Sequence, residues 1–382
     1  MVKILTVDIG TGTQDILLFN SRLSIENGYK LILPSPTMMI RSKIHQALKE
    51  QRSILLSGVL MGGGPCAWAV SDLLQAGLKV YATAEAAQTM DDDLEKVSRI
   101  GVNLVSADEA LNLPSEITRI EMKDFDFNTI AQAFACFGVS LSDLDALAVA
   151  VFDHGNAPAD VSDRRFRFDY LERRIRENNH LSAFAYERSQ IPSFLTRMKA
   201  VAQSAASLQV PLVVMDTAPA AVLGASFDAR PAQLPRRMIV NLGNMHTLAF
   251  RLAPGGIEGV FEHHTPMLNQ AKLESLLRRF AEGTLTNQQV FEDHGHGALL
   301  LSTESFSLDD PELDLIFTGP RRGLMNGSQL KLRFAAPFGD MMLSGCYGLL
   351  AAVADILPEL AKPILSSLKN HSLTGTEPWN LV

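Results

Sequence analysis

Two apolar runs near the start of the chain are separated by a short segment rich in glycine and threonine. Residues 4–7 (ILTV) and 16–19 (ILLF) are apolar, and DIGTGT lies between them. A dinucleotide-binding turn, G-x-G-x-x-G, would lead into a helix, whereas the residues after Gly12 are strand-like. The pattern therefore predicts a β-hairpin with Gly10 and Gly12 in its turn.

A similar pattern returns in the second half of the chain. The segment VNLGN at residues 240–244 is again followed by apolar residues, 247–250. Between the two copies, LQVPLVVMDTAPAAVLGAS predicts a buried strand over Val210–Met215 and a small-residue helix over Pro219–Ser226. The repetition predicts a protein built from two similar halves.

A further strand, turn and helix follow the second copy. LDLIFTGPRRGLM predicts a strand that ends at Gly319 and Pro320, with Gly323 shortly after. APFGDMMLSGCYGLLAAVADIL predicts a helix of small and apolar residues. This combination is suited to an adenine pocket.

In this order, the five segments resemble the phosphate-1, connect-1, phosphate-2, adenosine and connect-2 motifs of the actin, Hsp70 and sugar-kinase superfamily. The resemblance implies an α/β, two-domain actin-like ATPase fold (ribonuclease H-like) with an ATP cleft between the domains. It implies a first domain of residues 1–215 plus 345–382 and a second domain of 216–344. Residues from about 21 to 150 would be a family-specific insertion in the first domain.

The resemblance also implies ATP and Mg²⁺ as cofactors. Asp8 would hold Mg²⁺, which prefers hard oxygen ligands. Asn241 stands where the superfamily usually has Asp, so one carboxylate is missing from the expected metal neighbourhood. The residues implied to contact the nucleotide are Gly10, Thr11, Gly12, Thr13, Gly243, Asn244, Thr247, Gly319, Pro320 and Gly323.

Asp216 has two interpretations. In related sugar kinases, an Asp at the end of the equivalent strand takes the proton from the acceptor hydroxyl, so the resemblance implies that Asp216 and Asp8 are catalytic. An Asp before a helix also satisfies free N–H groups as an N-cap. The sequence leaves both roles open.

Other polar residues suggest a substrate site and a metal site. Three arginines after the strand DALAVAVFDHGNAP either clamp an anion or form a solvated helix face: Arg164, Arg165 and Arg167. The segments FEHHTP and FEDHGHGALL combine imidazole and carboxylate groups, which suit a transition metal, or else they are polar loops that line the cleft. The substrate-facing candidates are Asp153, His154, His263 and His264, and the metal candidates are Glu262, His263, His264, His294 and His296.

Charge and hydropathy narrow the classes of partner. The net charge is −8, and the sequence has no long basic run, so neither nucleic acid nor an anionic membrane is the expected partner. No apolar run approaches the roughly 18 residues of a membrane span. We expect a cytoplasmic protein whose ligands are a nucleotide and an unidentified small molecule, and a homodimer stays open.

The whole chain also resembles, more narrowly, a family labelled as a pyruvate formate-lyase activating enzyme. That activity requires a C-x-x-x-C-x-x-C loop for an iron–sulfur cluster. Cys66, Cys136 and Cys346 are far apart, so we set the activity aside. Three hypotheses are left: a small-molecule kinase with Asp216 as the base, an ATPase switch or activator acting on a protein partner, and a nucleotide-binding module without turnover.

Overall fold

The computed structural model describes residues 1–228, 234–302, 304–369, 376 and 378–380. The strands in these residues are β1 (Lys3–Ile9), β2 (Thr13–Asn20), β3 (Tyr29–Pro34), β4 (Ile54–Gly58), β5 (Val80–Ala82), β6 (Val102–Leu104), β7 (Thr118–Met122), β8 (Ala146–Val151), β9 (Ala185–Glu187), β10 (Leu212–Asp216), β11 (Arg236–Leu242), β12 (His246–Ala253), β13 (Gly256–His264), β14 (Gly297–Leu300), β15 (Leu313–Thr318) and β16 (Leu332–Phe334). The α-helices are α1 (Pro36–Lys49), α2 (Pro65–Gln75), α3 (Ala84–Ala87), α4 (Leu94–Arg99), α5 (Ala107–Leu111), α6 (Phe127–Ala135), α7 (Asp163–Glu177), α8 (Thr196–Ser204), α9 (Thr217–Ala225), α10 (Gln270–Ala281), α11 (Asn287–Glu292), α12 (Ser344–Ile356) and α13 (Pro358–Lys369). Among the described helices, none combines the length and the apolar character needed to cross a membrane.

Six strands form the first sheet, in the spatial order β3-β2-β1-β8-β10-β9. The strands β3, β2 and β1 form an antiparallel meander, and β8 and β10 continue the sheet parallel to β1. The N–H of Gly10 donates to the carbonyl oxygen of Thr13 and closes the turn between β1 and β2. The hairpin predicted from DIGTGT is confirmed.

The second sheet repeats this topology, with the order β14-β13-β12-β11-β15-β16. Here β13, β12 and β11 are antiparallel, and β15 and β16 run parallel to β11. The N–H of Gly243 donates to the carbonyl oxygen of His246, as in the first hairpin. An antiparallel meander extended by parallel strands, present twice, is the duplicated ribonuclease H-like arrangement. The predicted α/β, two-domain actin-like fold is confirmed.

A smaller sheet of four parallel strands, β6-β5-β4-β7, is inserted between β3 and β8. Helices α1 and α2 pack against it and give it a core of its own. The predicted insertion, about 21–150, also spans segments that belong to the first sheet and its core. Strands β3 and β8 pair with β2 and β1, and Ile130 and Phe134 of α6 pack in the core of the first sheet. Local hydrophobicity marks these segments as buried but cannot say which sheet they join.

Helices α9 and α12 lie between the two six-stranded sheets. One apolar cluster contains both helices, residues of β1 and β8, Ile239 of β11 and alternate residues of β12. A Cβ on Gly224 would lie 1.7 Å from the carbonyl oxygen of Ser344, and one on Gly348 would lie 1.9 Å from that of Ala220. The two helix backbones touch because these positions have no side chain.

The variant Gly348→Ala tests this helix contact. Alanine favours a helix over glycine by about 1 kcal/mol, but here its methyl group would overlap the backbone of α9. Overpacking of this kind costs about 1–3 kcal/mol, and we expect a net loss of stability. Thermal unfolding followed by circular dichroism measures it. In the control, Gly255→Ala, the new Cβ meets nothing within 4 Å, so equal melting temperatures for the two variants would contradict the expectation.

Candidate functional site

The turns of the two hairpins face each other across a cavity between the sheets. A Cβ on Gly12 would lie 2.9 Å from the side-chain nitrogen of Asn244. The end of β15, the start of α9 and the start of α12 complete the walls. The predicted site residues that line this cavity are Asp8, Gly10, Thr11, Gly12, Thr13, Gly243, Asn244, Gly319 and Pro320.

Two predicted nucleotide contacts do not line the cavity. The side chain of Thr247 is buried, and its hydroxyl lies 2.8 Å from that of Thr265. Side chains alternate along a strand, so His246, one position earlier on β12, reaches the cavity instead. Gly323 belongs to a short 3-10 helix, Arg322–Met325, that follows the turn at Gly319.

Asp8 faces a second carboxylate that our sequence analysis missed. Asp15 lies directly opposite Asp8 in the β1–β2 register, and both line the cavity. The hydroxyl of Thr217 donates to Oδ1 of Asp8 at 2.5 Å, and a Cβ at Gly345 would lie 1.9 Å from Oδ2. Oδ1 of Asp15 is buried without a hydrogen-bond partner. The hairpin register could have identified Asp15, because residues equally far from a turn face each other across the strands.

The surroundings of both carboxyl groups favour their protonated form. Burial raises the pKa of Asp8 to about 7, with the hydrogen bond from Thr217 opposing this shift and the charge of Asp216 adding to it. Burial and the charge of Asp8 raise the pKa of Asp15 to about 8. Two adjacent buried carboxylates repel each other unless a proton or a cation compensates them. The unpartnered Oδ1 of Asp15 and the two carboxylates therefore fit Mg²⁺, which Asp8 and Asp15 would hold.

The second hairpin has no such acidic pair. Asn241 takes the position in β11 that Asp8 has in β1, and Leu248 lies opposite it. Asn241 still lines the cavity, where a Cβ on Gly319 would lie 2.6 Å from its side-chain oxygen. The two hairpins thus have the same topology, but only the first carries carboxylates at these positions. A hard cation is therefore expected only on the first hairpin.

Asp216 caps α9 and belongs to a buried ion-pair network. Its Oδ1 accepts a hydrogen bond from the N–H of Ala218 at 3.2 Å, and its Oδ2 pairs with Nη1 of Arg167. Nε of Arg167 also lies 3.3 Å from Oε2 of Glu262. Burial opposes ionisation of Glu262, but the charge of Arg167 holds its pKa well below the usual range. The cap is confirmed. The role as base stays a prediction, because Asp216 does not line the cavity.

The arginines of α7 have three different environments. Arg165 is exposed, Arg164 donates to the carbonyl oxygens of Phe291 and Gly295, and Arg167 is fully buried. Neither interpretation from sequence, the anion clamp or the solvated face, describes Arg167. Its partners come from distant parts of the chain, so the local pattern gave no sign of them.

The predicted substrate residues near β8 are not gathered in the cavity. Both oxygens of Asp153 accept backbone hydrogen bonds, from Gly155 at 2.8 Å and from Met198 at 2.9 Å. His154 is exposed, with its ring edge against Phe152, which does line the cavity. Asp153 therefore orders its loop, and contact of either residue with a substrate stays a prediction.

Three histidines meet at the ends of β12, β13 and β14. One nitrogen from each of His246, His264 and His296 lies within 4.8 Å of the other two. Burial lowers the pKa of His264 to about 4 and that of His296 to about 3, so both rings are neutral near pH 7. Oε1 of Glu262 lies 3.1 Å from Nδ1 of His246.

The structure brings together only part of the predicted set of metal-binding residues. Of the predicted residues, His264 and His296 come together, and the third imidazole is that of His246 in the second hairpin. Glu262 borders this group through His246 and His296. His263, the next residue after Glu262, projects to the other face of the sheet, where Nε2 lies 3.1 Å from the carboxylate of Asp293. His294 is exposed, in a turn with φ of 64°. Dense clustering in sequence favoured His263 and His294, whereas strand alternation and sheet register select the group that forms.

Residues 61–324 match the profile of a protein family described as "Putative pyruvate format-lyase activating enzyme (DUF1786)". The chain belongs to this family. The three cysteines do not form the iron–sulfur site that the activity in that description requires. Cys66 lies in α2, Cys136 follows α6 and Cys346 lies in α12. No curated protein sequence matches the chain.

Several solved structures resemble the chain over most of its length. An inorganic polyphosphate/ATP-glucomannokinase from Arthrobacter sp. strain KM is 12% identical with a TM-score of 0.34, over 94% of this chain and 100% of that one. The ethanolamine utilization protein EutJ from Carboxydothermus hydrogenoformans is 10% identical with a TM-score of 0.32, over 91% of this chain and 89% of that one. MreB5 of Spiroplasma citri bound to ADP is 10% identical with a TM-score of 0.31, over 96% and 99%. The fold is assigned from the topology of the two six-stranded sheets.

The variant Asp15→Asn tests the raised pKa of Asp15. Between pH 3.8 and about 8, folded Asp15 holds a proton that the unfolded chain has released, so this group makes the free energy of unfolding fall as pH rises. The variant should be more stable than the parent at pH 8, by on the order of 1 kcal/mol or more, and the difference should shrink towards pH 4. Thermal melts at several pH values without divalent cations measure it.

Asp143→Asn is the control for this experiment. The hydrogen bond from Lys3 holds the pKa of Asp143 below its usual range. Ionised Asp143 therefore adds to the free energy of unfolding at neutral pH, and this contribution is lost at low pH, which is the opposite of the behaviour of Asp15. A stability difference between Asp15→Asn and the parent that does not change with pH would contradict the raised pKa.

Proposed function

We propose that this protein binds ATP with Mg²⁺ in the cavity and transfers the terminal phosphoryl group to a small molecule. The observation that carries the proposal is the pair of topologically equivalent glycine hairpins that face each other across the cavity, with Asp8 and Asp15 beside one of them. Phosphoryl transfer needs mainly positioning and charge compensation from a protein, and this arrangement can supply both.

Backbone N–H groups at the tips of both turns are available to phosphate oxygens. Thr11 and Gly12 on one side, and Asn244 and Met245 on the other, line the cavity. No hydrogen bond within the described residues uses their N–H groups, because the hairpins are closed by Gly10 and Gly243 instead. Successive free N–H groups in a turn bind anions.

The other walls fit the rest of a nucleotide. Pro320, Met341 and Met342 add apolar surface to the cavity, which suits a purine ring. Mg²⁺, when bound, would offset the charge of the phosphates. Asp8 and Asp15 would hold this ion on the first hairpin, and Thr217 would keep Asp8 in position through its hydrogen bond.

Asp216 is the proposed base for the acceptor hydroxyl. It directly precedes Thr217, which lines the cavity and contacts Asp8, so it lies near the expected phosphates. To accept a proton it would have to give up its contact with Arg167. That contact favours a second candidate function, nucleotide hydrolysis or nucleotide-dependent switching without an acceptor.

Asp15→Asn should also weaken the binding of Mg²⁺ and ATP together. Loss of one cation ligand should cost roughly tenfold or more in affinity, equivalent to about 1.4 kcal/mol. The affinity for ATP in EDTA should change much less, because no cation is present. Isothermal titration calorimetry under both conditions measures this, with Asp143→Asn as the surface control. If the parent binds ATP under neither condition, the proposal is refuted.

Asp216→Asn distinguishes the two candidate functions. Asn still caps α9, but Arg167 keeps only one carboxylate partner, so stability should fall and activity must be expressed per folded molecule. As base, Asp216 should contribute about 10²–10⁴-fold to transfer, and we expect ADP formation with an acceptor from a metabolite screen to fall by this factor. Unchanged ADP formation would favour hydrolysis or switching.

A further inference from the structure

Three imidazole rings pack against one another beside the nucleotide cavity. The ring centroids of His246, His264 and His296 lie 4.7–5.1 Å apart, so each ring contacts both others. His246 also lines the cavity and stacks on Phe152 at 3.9 Å. Neutral imidazole is the form that binds metals.

The register of the second sheet places these groups on one face. His246 of β12 lies opposite His264 of β13, and Glu262 lies two residues before His264 on the same face. Glu262 is in turn opposite Gly297 of β14, and the N–H of His296 donates to the carbonyl oxygen of Glu262 at 2.9 Å. The four side chains are thus held by three paired strands, which is a rigid support for a site.

Several polar atoms in this group are buried without hydrogen bonds. They are Nδ1 of His296, and Oε1 of Glu262 and Nδ1 of His246, which lie 3.1 Å apart without the alignment of a hydrogen bond. Glu262 is 0% exposed and His296 is 2% exposed, so water cannot readily satisfy them. Such atoms are costly unless a ligand uses them. Oε2 of Glu262 lies beside Arg167, which fixes the orientation of the carboxylate and turns Oε1 towards His246 and His296.

We propose that His246, His264, His296 and Glu262 bind one divalent transition-metal ion of the zinc type. Three imidazoles and a carboxylate are ligands that Zn²⁺ accepts, whereas Mg²⁺ prefers oxygen ligands alone. Metal bonds of about 2.0–2.1 Å would place tetrahedral ligand atoms roughly 3.4 Å apart. The three imidazole nitrogens, which now lie within 4.8 Å of one another, would move to that spacing when the ion binds. The network of Arg167, Asp216 and Glu262 contains one cation and two carboxylates, and its net negative charge favours a bound cation.

This site is separate from the Mg²⁺ site proposed at Asp8 and Asp15. It uses different residues on the second hairpin and does not require that a nucleotide binds. Because His246 lines the cavity as well, the ion would lie next to the proposed phosphate end. Metal binding at these residues therefore does not depend on whether the proposed function is correct.

Metal binding by untagged protein tests the inference. Protein stripped with a chelator and dialysed is titrated with Co²⁺, whose visible absorption reports nitrogen and oxygen ligands, and then with Zn²⁺ in competition. We expect one ion per chain by elemental analysis, displacement of Co²⁺ by Zn²⁺, and no displacement by excess Mg²⁺. All steps are carried out without nucleotide, so a failure of ATP binding leaves the result unaffected.

His264→Ala and His294→Asn form a matched pair for this titration. His264 is only half-buried, so its replacement should leave the fold intact, as the melting curve of the metal-free protein will show. Loss of a residue that only hydrogen-bonds to a metal ligand typically weakens metal binding about 10–100-fold. Loss of a ligand itself, His264, should therefore weaken Co²⁺ binding at least about tenfold. His294→Asn removes an exposed imidazole nearby and should bind as the parent does.

Zn²⁺ should raise the melting temperature of the parent and of His294→Asn but not that of His264→Ala. Absence of Co²⁺ and Zn²⁺ binding by the parent at micromolar concentrations would overturn the inference. Equal weakening in the two variants would also overturn it, because binding would then not depend on the three-histidine group.

Discussion

The direct packing of α9 on α12 is the constraint on which the rest of the structure depends. Glycine at 224 and 348 lets the two backbones touch between the sheets, so the halves share one apolar core. The first residues of both helices lie next to Asp8. Thr217 of α9 donates a hydrogen bond to the carboxylate of Asp8, and Gly345 of α12 leaves room for this carboxylate. Helix N-termini favour negative charge, so this convergence makes the region suitable for phosphate as well as for a carboxylate.

Arg167 is the second element that joins the halves. Its guanidinium donates to the carbonyl oxygen of Asp153 and pairs with Asp216, both at ends of strands in the first sheet, and it reaches Glu262 in the second. A buried ion pair of this kind adds little net stability, but removal of one member leaves a costly uncompensated charge. The network therefore fixes a particular arrangement of the two halves and of the carboxylates near the cavity.

The duplicated topology has given two hairpins with different chemistry. The first presents the carboxylates Asp8 and Asp15 to the cavity, and the second presents Asn241 and His246. Oxygen ligands on one side and imidazoles on the other select different cations. Strand pairing gives both hairpins the same backbone, and only a few side chains at the turns separate their functions.

The sequence by itself determined the features that depend on neighbouring residues. Glycine turns between apolar runs specified both hairpins, their repetition specified a two-part fold, and the pattern around Asp216 specified a strand that leads into a capped helix. Periodicity and turn chemistry act over a few residues, so they can be predicted from one chain. Only the tertiary structure decided the burial of Arg167 and the meeting of His246 with His264 and His296. These contacts depend on how distant strands align, and a shift of one residue in register exchanges the face to which every side chain points.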